Sequence, residues 1–188
     1  LTRIFSRLAI VAIVLALVTL PVFVLNIIDE MHAERILEDY YFSTGSRSHE
    51  HDYFILKAKK HLNITGEEII FLIIPSPTKG AVIYGPPKIA SKLGLVPKLY
   101  RIVFTDTYNN ILTQDEKKAL IAHEIAHLRY PTNSLSDQIA CDKAAVDLVG
   151  PENLKSALLK IFIPNNPSFE DNLRLDILDR IQKQGSRP

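Results

Sequence analysis

The sequence predicts an α+β fold, mainly helical with a small edge β-sheet and preceded by one N-terminal transmembrane helix. Three observations carry this: a charge-free apolar run over 8–28, short apolar runs rich in β-branched residues between 69 and 105, and helical spacing of apolar residues from 113 onwards. With 188 residues there is room for one core beside the apolar segment. Lysine and arginine total 22 against 21 acidic residues, a net charge of +1 with no basic stripe, which leaves no electrostatic footprint for nucleic acid. Cys141 is the only cysteine, so an internal disulfide framework and a cysteine-based metal cluster are both excluded.

Taken in order, residues 8–28 would span about 31 Å as a helix, the thickness of a bilayer core. Arg3 and Arg7 precede this run, and Asp29, Glu30, Glu34, Glu38 and Asp39 follow it. The positive-inside rule then puts the N-terminus in the cytoplasm and the rest of the chain on the non-cytoplasmic side. A cleaved signal peptide would share the basic start, but no Ala-x-Ala site follows. The expected organisation is an anchor over 1–28, a juxtamembrane helix and linker over 29–49, and the main domain over 50–188. Helical spacing covers 50–62. The isoleucine-rich run 69–74, stopped by Pro75 and Pro77, predicts a buried strand, with shorter strands over 81–84 and 101–105. Residues 85–97, with three prolines and two glycines, predict a surface loop.

The next element carries the chemistry. Thr113 followed by Glu116 is a capping box, and Leu120, Ile121, Ile125 and Leu128 continue at helical spacing until Pro131. On this helix lies His123-Glu124-Ile-Ala-His127. Histidines four residues apart project from one face on successive turns, where both imidazoles can bind one Zn2+ ion. Glu124 stands beside the metal, placed to take a proton from a metal-activated water and pass it to the leaving amine. Asp115, Glu116, Lys117, Lys118 and Arg129 exclude an intramembrane protease helix. The histidines at 32, 49, 51 and 61 read as solvated residues, and Cys141 reads as a small buried apolar side chain.

Over about 58–178 the chain resembles the gluzincin metallopeptidases that include the CAAX prenyl proteases, HtpX and the mitochondrial Oma proteases. The stretch 101–128, with Ile-Val-Phe-Thr-Asp, Ile111-Leu112-Thr113, Glu116 and Ala122-His-Glu-Ile-Ala-His, is similar to that family's strand, turn and active-site helix. The resemblance implies a zincin-like minimal metallopeptidase domain over 50–188, with a peptide or protein substrate bound extended along a sheet edge. Lys79-Gly-Ala-Val82 stands roughly where the family has its edge strand. The family's third zinc ligand is a glutamate four residues before an aspartate. Here Gln138-Ile-Ala-Cys-Asp142 holds that place, with the aspartate kept to support a ligand histidine and the glutamate replaced by a neutral amide. Three readings stay open: Gln138 binds weakly, Asp137 or Asp142 supplies the ligand, or zinc binding is impaired. Asn166-Pro167-Ser168 and Asn172 stand where the family has a His-Pro-Ser motif and an arginine that support the transition state. The plainer reading of 166–168 is a loop and N-cap for a last helix carrying Leu173, Ile177 and Ile181 on its apolar face.

These residues lead to the expectation of a membrane-anchored zinc endopeptidase with Glu124 as general base. The alternative is a catalytically impaired relative acting as a membrane-tethered binding or regulatory protein.

Overall fold

The computed structural model describes residues 19, 20, 23–26, 28, 29, 32, 45–75, 81–86, 94, 98–163 and 166–185. The elements, in chain order, are β1 (Ser46–Arg47), α1 (Asp52–His61), β2 (Glu68–Ile74), β3 (Ala81–Tyr84), β4 (Leu99–Thr105), α2 (Asp106–Ile111), α3 (Gln114–Ala126), α4 (Leu135–Val149), α5 (Pro151–Phe162) and α6 (Phe169–Gly185). They belong to one compact unit, Tyr41–Gly85 with Lys98–Pro188. The remainder of the chain groups separately.

The architecture is mixed helix and sheet, and the expected transmembrane helix is corrected. Among the described residues, no helix is long and apolar enough to cross a membrane. A span requires about 20 consecutive apolar helical residues. Within 8–28 only 19, 20, 23–26 and 28 are described, all helical, and the rest of that run lies outside the described residues. The juxtamembrane helix expected over 29–42 also lies outside them, apart from 29 and 32.

The sheet has four strands in the order β1-β2-β4-β3. β2 and β4 run parallel, from Glu68 opposite Leu99 to Ile74 opposite Thr105, and β1 and β3 flank them antiparallel. The apolar runs of β2 and β4 are continuous because both faces are covered, as in other buried parallel pairs. Phe71, Ile102 and Phe104 belong to the main core with the helices, whereas Ile70, Leu72, Ile74 and Val103 form a second cluster. Ser46–Arg47, expected to be a flexible connection, pairs with Ile73 and Leu72 as an edge strand. His51 is likewise corrected, being 1% exposed and edge-on to Phe71 with ring centroids 5.1 Å apart. Burial lowers its pKa, which favours the neutral ring the core can tolerate.

Helix α3 is the central helix, packed against α1, α4, α5, β3 and β4. Ala119, Ala122 and Ala126 are fully buried, and their small side chains let neighbouring elements approach closely. The capping box forms as expected: Thr113 Oγ1 accepts from the Glu116 N–H at 3.3 Å, and Glu116 Oε2 accepts from the Thr113 N–H at 2.7 Å. Between α4 and α5, Gly150 adopts φ +85°, a left-handed turn that a side chain would strain, and Pro151 then opens α5.

Glu116 also ties α3 to α5. Ser156 Oγ donates to its Oε1 at 2.5 Å and Lys160 Nζ to its Oε2 at 2.7 Å. Burial alone would raise the Glu116 pKa, but the Lys160, Ser156 and Thr113 donors outweigh it and pull the value down to about 2 from 4.5. A carboxyl depressed in the folded state contributes stability that is complete above the unfolded value near 4.5 and is lost as pH falls towards 2. The shift corresponds to about 3 kcal/mol. Urea unfolding at pH 6 and at pH 2.5 should show Glu116→Gln losing less stability to acid than the natural chain by about that amount. Equal acid sensitivity in the two proteins would contradict this account.

Candidate active site

The motif helix ends at Ala126, short of the expected Pro131, and carries His123 in its last turn with His127 as its C-cap, still in helical backbone conformation. His123 and His127 lie with ring centroids 5.0 Å apart and planes at 85°. His123 is 5% exposed, and its Nδ1 lies 2.9 Å from Asp142 Oδ1 on α4. That approach is close but not aligned with the ring N–H, so the contact is mainly electrostatic. His127 Nδ1 lies 3.1 Å from the Tyr130 carbonyl oxygen. An Nδ1 bonded to an acceptor carries the proton, which leaves Nε2 of His127 as its lone-pair atom, and the Asp142 charge beside Nδ1 favours the same tautomer in His123. Burial, followed by the charges of His123 and Arg174, lowers the His127 pKa despite the Tyr130 contact, so that the neutral ring a metal ligand needs is favoured.

Asp142 takes the position expected for the supporting aspartate. It is 2% exposed and accepts two hydrogen bonds from Arg174 on α6, Nε to Oδ2 at 2.7 Å and Nη2 to Oδ1 at 2.8 Å. Burial pushes the Asp142 carboxyl up, but Arg174 and His123 overcome it and hold the pKa below the usual carboxylate range. The Arg174 guanidinium lies 5.3 Å from the centroid of the Phe162 ring, a cation–π contact. Arg174 was not anticipated. Leu173, Ile177 and Ile181 were expected to form the buried face of α6, but they are half-buried, and the buried residues are Arg174 and Leu178. The buried face is thus turned by one residue, about 100°. The available signal was an arginine four residues before a leucine on that neighbouring face.

Gln138 reaches the Nε2 side of His127, its own Nε2 lying 3.4 Å from His127 Nε2. A half-turn of the amide exchanges its nitrogen and oxygen, so an acceptor can occupy the same place. Asp137 does not. It accepts from the Thr132 N–H at 3.0 Å and from Thr132 Oγ1 at 2.6 Å at the start of α4. Those two bonds lower its pKa. Asp142 is committed to Arg174 and His123. Among the described residues, no group of three His, Cys, Asp or Glu side chains is arranged to hold a metal ion. The donor set that fits zinc is therefore two imidazoles and the amide of Gln138, with one anionic ligand fewer than a His-His-Glu site.

Glu124 points from α3 towards the sheet, where its Oε2 accepts from the Ile83 N–H at 3.1 Å. Burial raises its pKa, against the opposing influence of His123 and the Ile83 bond. Such a carboxyl holds a proton more readily than an exposed one. Cys141 is fully buried with Sγ 3.5 Å from His127 Nδ1, and burial pushes its thiol pKa up to about 12. It is no nucleophile at neutral pH.

The two asparagines are engaged within their own segment. Asn166 is exposed at φ +53°, and Asn172 Nδ2 donates to the Ser168 carbonyl at 2.9 Å. Ser168 and Asp171 exchange hydrogen bonds at the start of α6, Asp171 N–H to Ser168 Oγ at 3.1 Å and Ser168 N–H to Asp171 Oδ2 at 2.9 Å. This is the loop and helix cap that the plainer reading of 166–168 expects. Comparison with protein-family models, curated proteins and solved structures returns no match.

Proposed function

We propose that the chain is a zinc-dependent endopeptidase whose catalytic centre is His123, Glu124 and His127. The observation that carries this reading is the arrangement of the two histidines: His127 Nδ1 faces the Tyr130 carbonyl and His123 Nδ1 lies 2.9 Å from the Asp142 carboxylate, which favours a proton on both Nδ1 atoms and leaves Nε2 for a metal. The residues that would hold the ion are His123, His127 and the amide oxygen of Gln138. Bound there, zinc would supply polarisation of the scissile carbonyl and acidification of a water molecule.

The chain's own residues do the rest. Glu124 takes the proton from the attacking water and returns it to the leaving nitrogen. Asp142, held by Arg174, lies beside His123 Nδ1 and favours the proton there. β3 offers an edge for an extended peptide backbone, since no strand lies outside it among the described residues.

The expected outcome is that the zinc-loaded chain cleaves an unfolded protein such as β-casein and that Glu124→Gln lowers the rate by about 10²- to 10⁴-fold, the range typical of general acid–base catalysis. Initial rates for both proteins at equal zinc content check it. A rate unchanged by the substitution would remove Glu124 from the chemistry.

A second reading has its own supporting observation. With a neutral amide in the third place, the site holds zinc less firmly, and the chain acts as a catalytically impaired relative that binds or regulates a partner. It predicts little zinc and no turnover.

A further inference from the structure

We propose that an extended peptide docking on the outer edge of β3 takes over the Ile83 N–H, so that substrate binding itself releases the Glu124 carboxylate for catalysis. The proposal rests on the peptidase reading and adds to it how substrate and general base are coupled.

The geometry begins with the ladder. Ile83 stands opposite Ile102 in the antiparallel β3–β4 pair, yet its N–H is given to Glu124 Oε2 and not to β4. Ile83 is thus in a non-hydrogen-bonded pair, whose residues turn both N–H and C=O away from the partner strand. β3 is the outermost strand on its side of the sheet among the described residues, so those groups face the edge where a further strand would add. The carboxylate now holding the N–H belongs to the residue between the two metal-facing histidines in the motif.

An added peptide strand needs the same N–H, because a backbone carbonyl opposite Ile83 would accept from it in the new ladder. Glu124 and the peptide carbonyl therefore compete for one donor. Exchange of one acceptor for the other leaves the N–H satisfied throughout, which keeps its cost low. It frees Glu124 Oε2 only when a peptide is in place. The ligand class follows: an unfolded or extended segment with a regular backbone carbonyl at that register, recognised by main chain more than by side chain.

Two variants separate the parts. Ile83→Pro removes the N–H while leaving the β4 ladder intact, since proline is tolerated on an edge strand where the N–H points outward. Glu124→Ala removes the competitor. In the 15N-labelled chain stripped of metal with EDTA, titration with a short unfolded β-casein peptide should move the Ile83 amide resonance. Affinity should fall about tenfold in Ile83→Pro and rise about threefold or more in Glu124→Ala. If Ile83→Pro fails to fold, the resonance shift and the Glu124→Ala tightening still decide the question. Binding that leaves the Ile83 resonance unmoved, or Glu124→Ala affinity no higher than that of the natural chain, overturns the proposal. In the zinc-loaded chain, kcat/KM of Ile83→Pro on β-casein should fall about tenfold through KM. A fall carried by kcat at unchanged KM also overturns it, by reducing the N–H to a holder of the base. Zinc-loaded natural chain that binds the peptide but cleaves nothing would instead remove the peptidase reading, with docking at Ile83 still supported by the resonance shift.

Discussion

Arg174→Met lowers the stability of the fold by about 3–5 kcal/mol, because it leaves the Asp142 carboxylate buried with only His123 beside it. Methionine keeps much of the volume next to Phe162, so the loss is chiefly electrostatic and not a cavity. For a chain of this length each kcal/mol shifts the midpoint by about 2–4 °C, and the expected drop is on the order of 6–20 °C. The companion variant Asp142→Asn with Arg174→Met should recover part of that loss, since a neutral amide needs no cation. Urea unfolding of the natural chain, both single variants and the double variant completes a cycle whose coupling reads the pair directly. Additive losses would mean that the bidentate pair contributes nothing beyond its separate side chains.

Gln138→Glu raises zinc affinity by about 100-fold or more. Changes to groups that only orient a ligand already shift metal affinity by about 10- to 100-fold, and here the ligand position itself gains a charge. Room for the carboxylate exists, because glutamate and glutamine have nearly the same shape and Gln138 Nε2 already lies 3.4 Å from His127 Nε2. Competition against a fluorescent zinc chelator measures the change. Affinity that rises less than about threefold would remove Gln138 from the ligand set.

Local pattern and long-range pairing divide what the sequence makes legible from what it hides. The capping box of Thr113 and Glu116, the placement of His123 on a helix with His127 at its C-cap, and the buried strand at 69–74 each depend on residues within one or two turns or a single run of chain. All three are visible as spacing. The partners that complete the site and tie the helices together are distant. Arg174 lies 32 residues from Asp142, Ile83 41 residues from Glu124, and Ser156 40 residues from Glu116. Nothing in local composition marks Ser46–Arg47 as a strand, because its pairing is decided by the exposed edge of β2. His51 followed a serine-rich stretch and looked solvated, yet it starts α1 and turns into the core against Phe71. The buried stripe of α6 lies one position away from its apolar pattern for a related reason. Half-buried leucine and isoleucine outscore an arginine in any apolar count, and only the buried Asp142 gives that arginine a reason to face inward.

Asp137 shows how geometry narrows an alternative that spacing leaves open. From the sequence it stood one residue from the ligand position, and in the fold Thr132 holds its carboxylate at the start of α4. Asp142 is held as firmly by Arg174. Of the candidates for the third ligand, Gln138 is the one whose side chain lies against a motif histidine without another commitment to carry.

Zinc content of the unsubstituted chain, measured by elemental analysis after dialysis against chelator-free buffer, decides whether His123, His127 and Gln138 form a metal site. The expected result is about one zinc per chain, falling to near zero in His123→Ala. Near-zero zinc in the unsubstituted chain, restored to about one by Gln138→Glu, would contradict it and leave the binding or regulatory reading in its place.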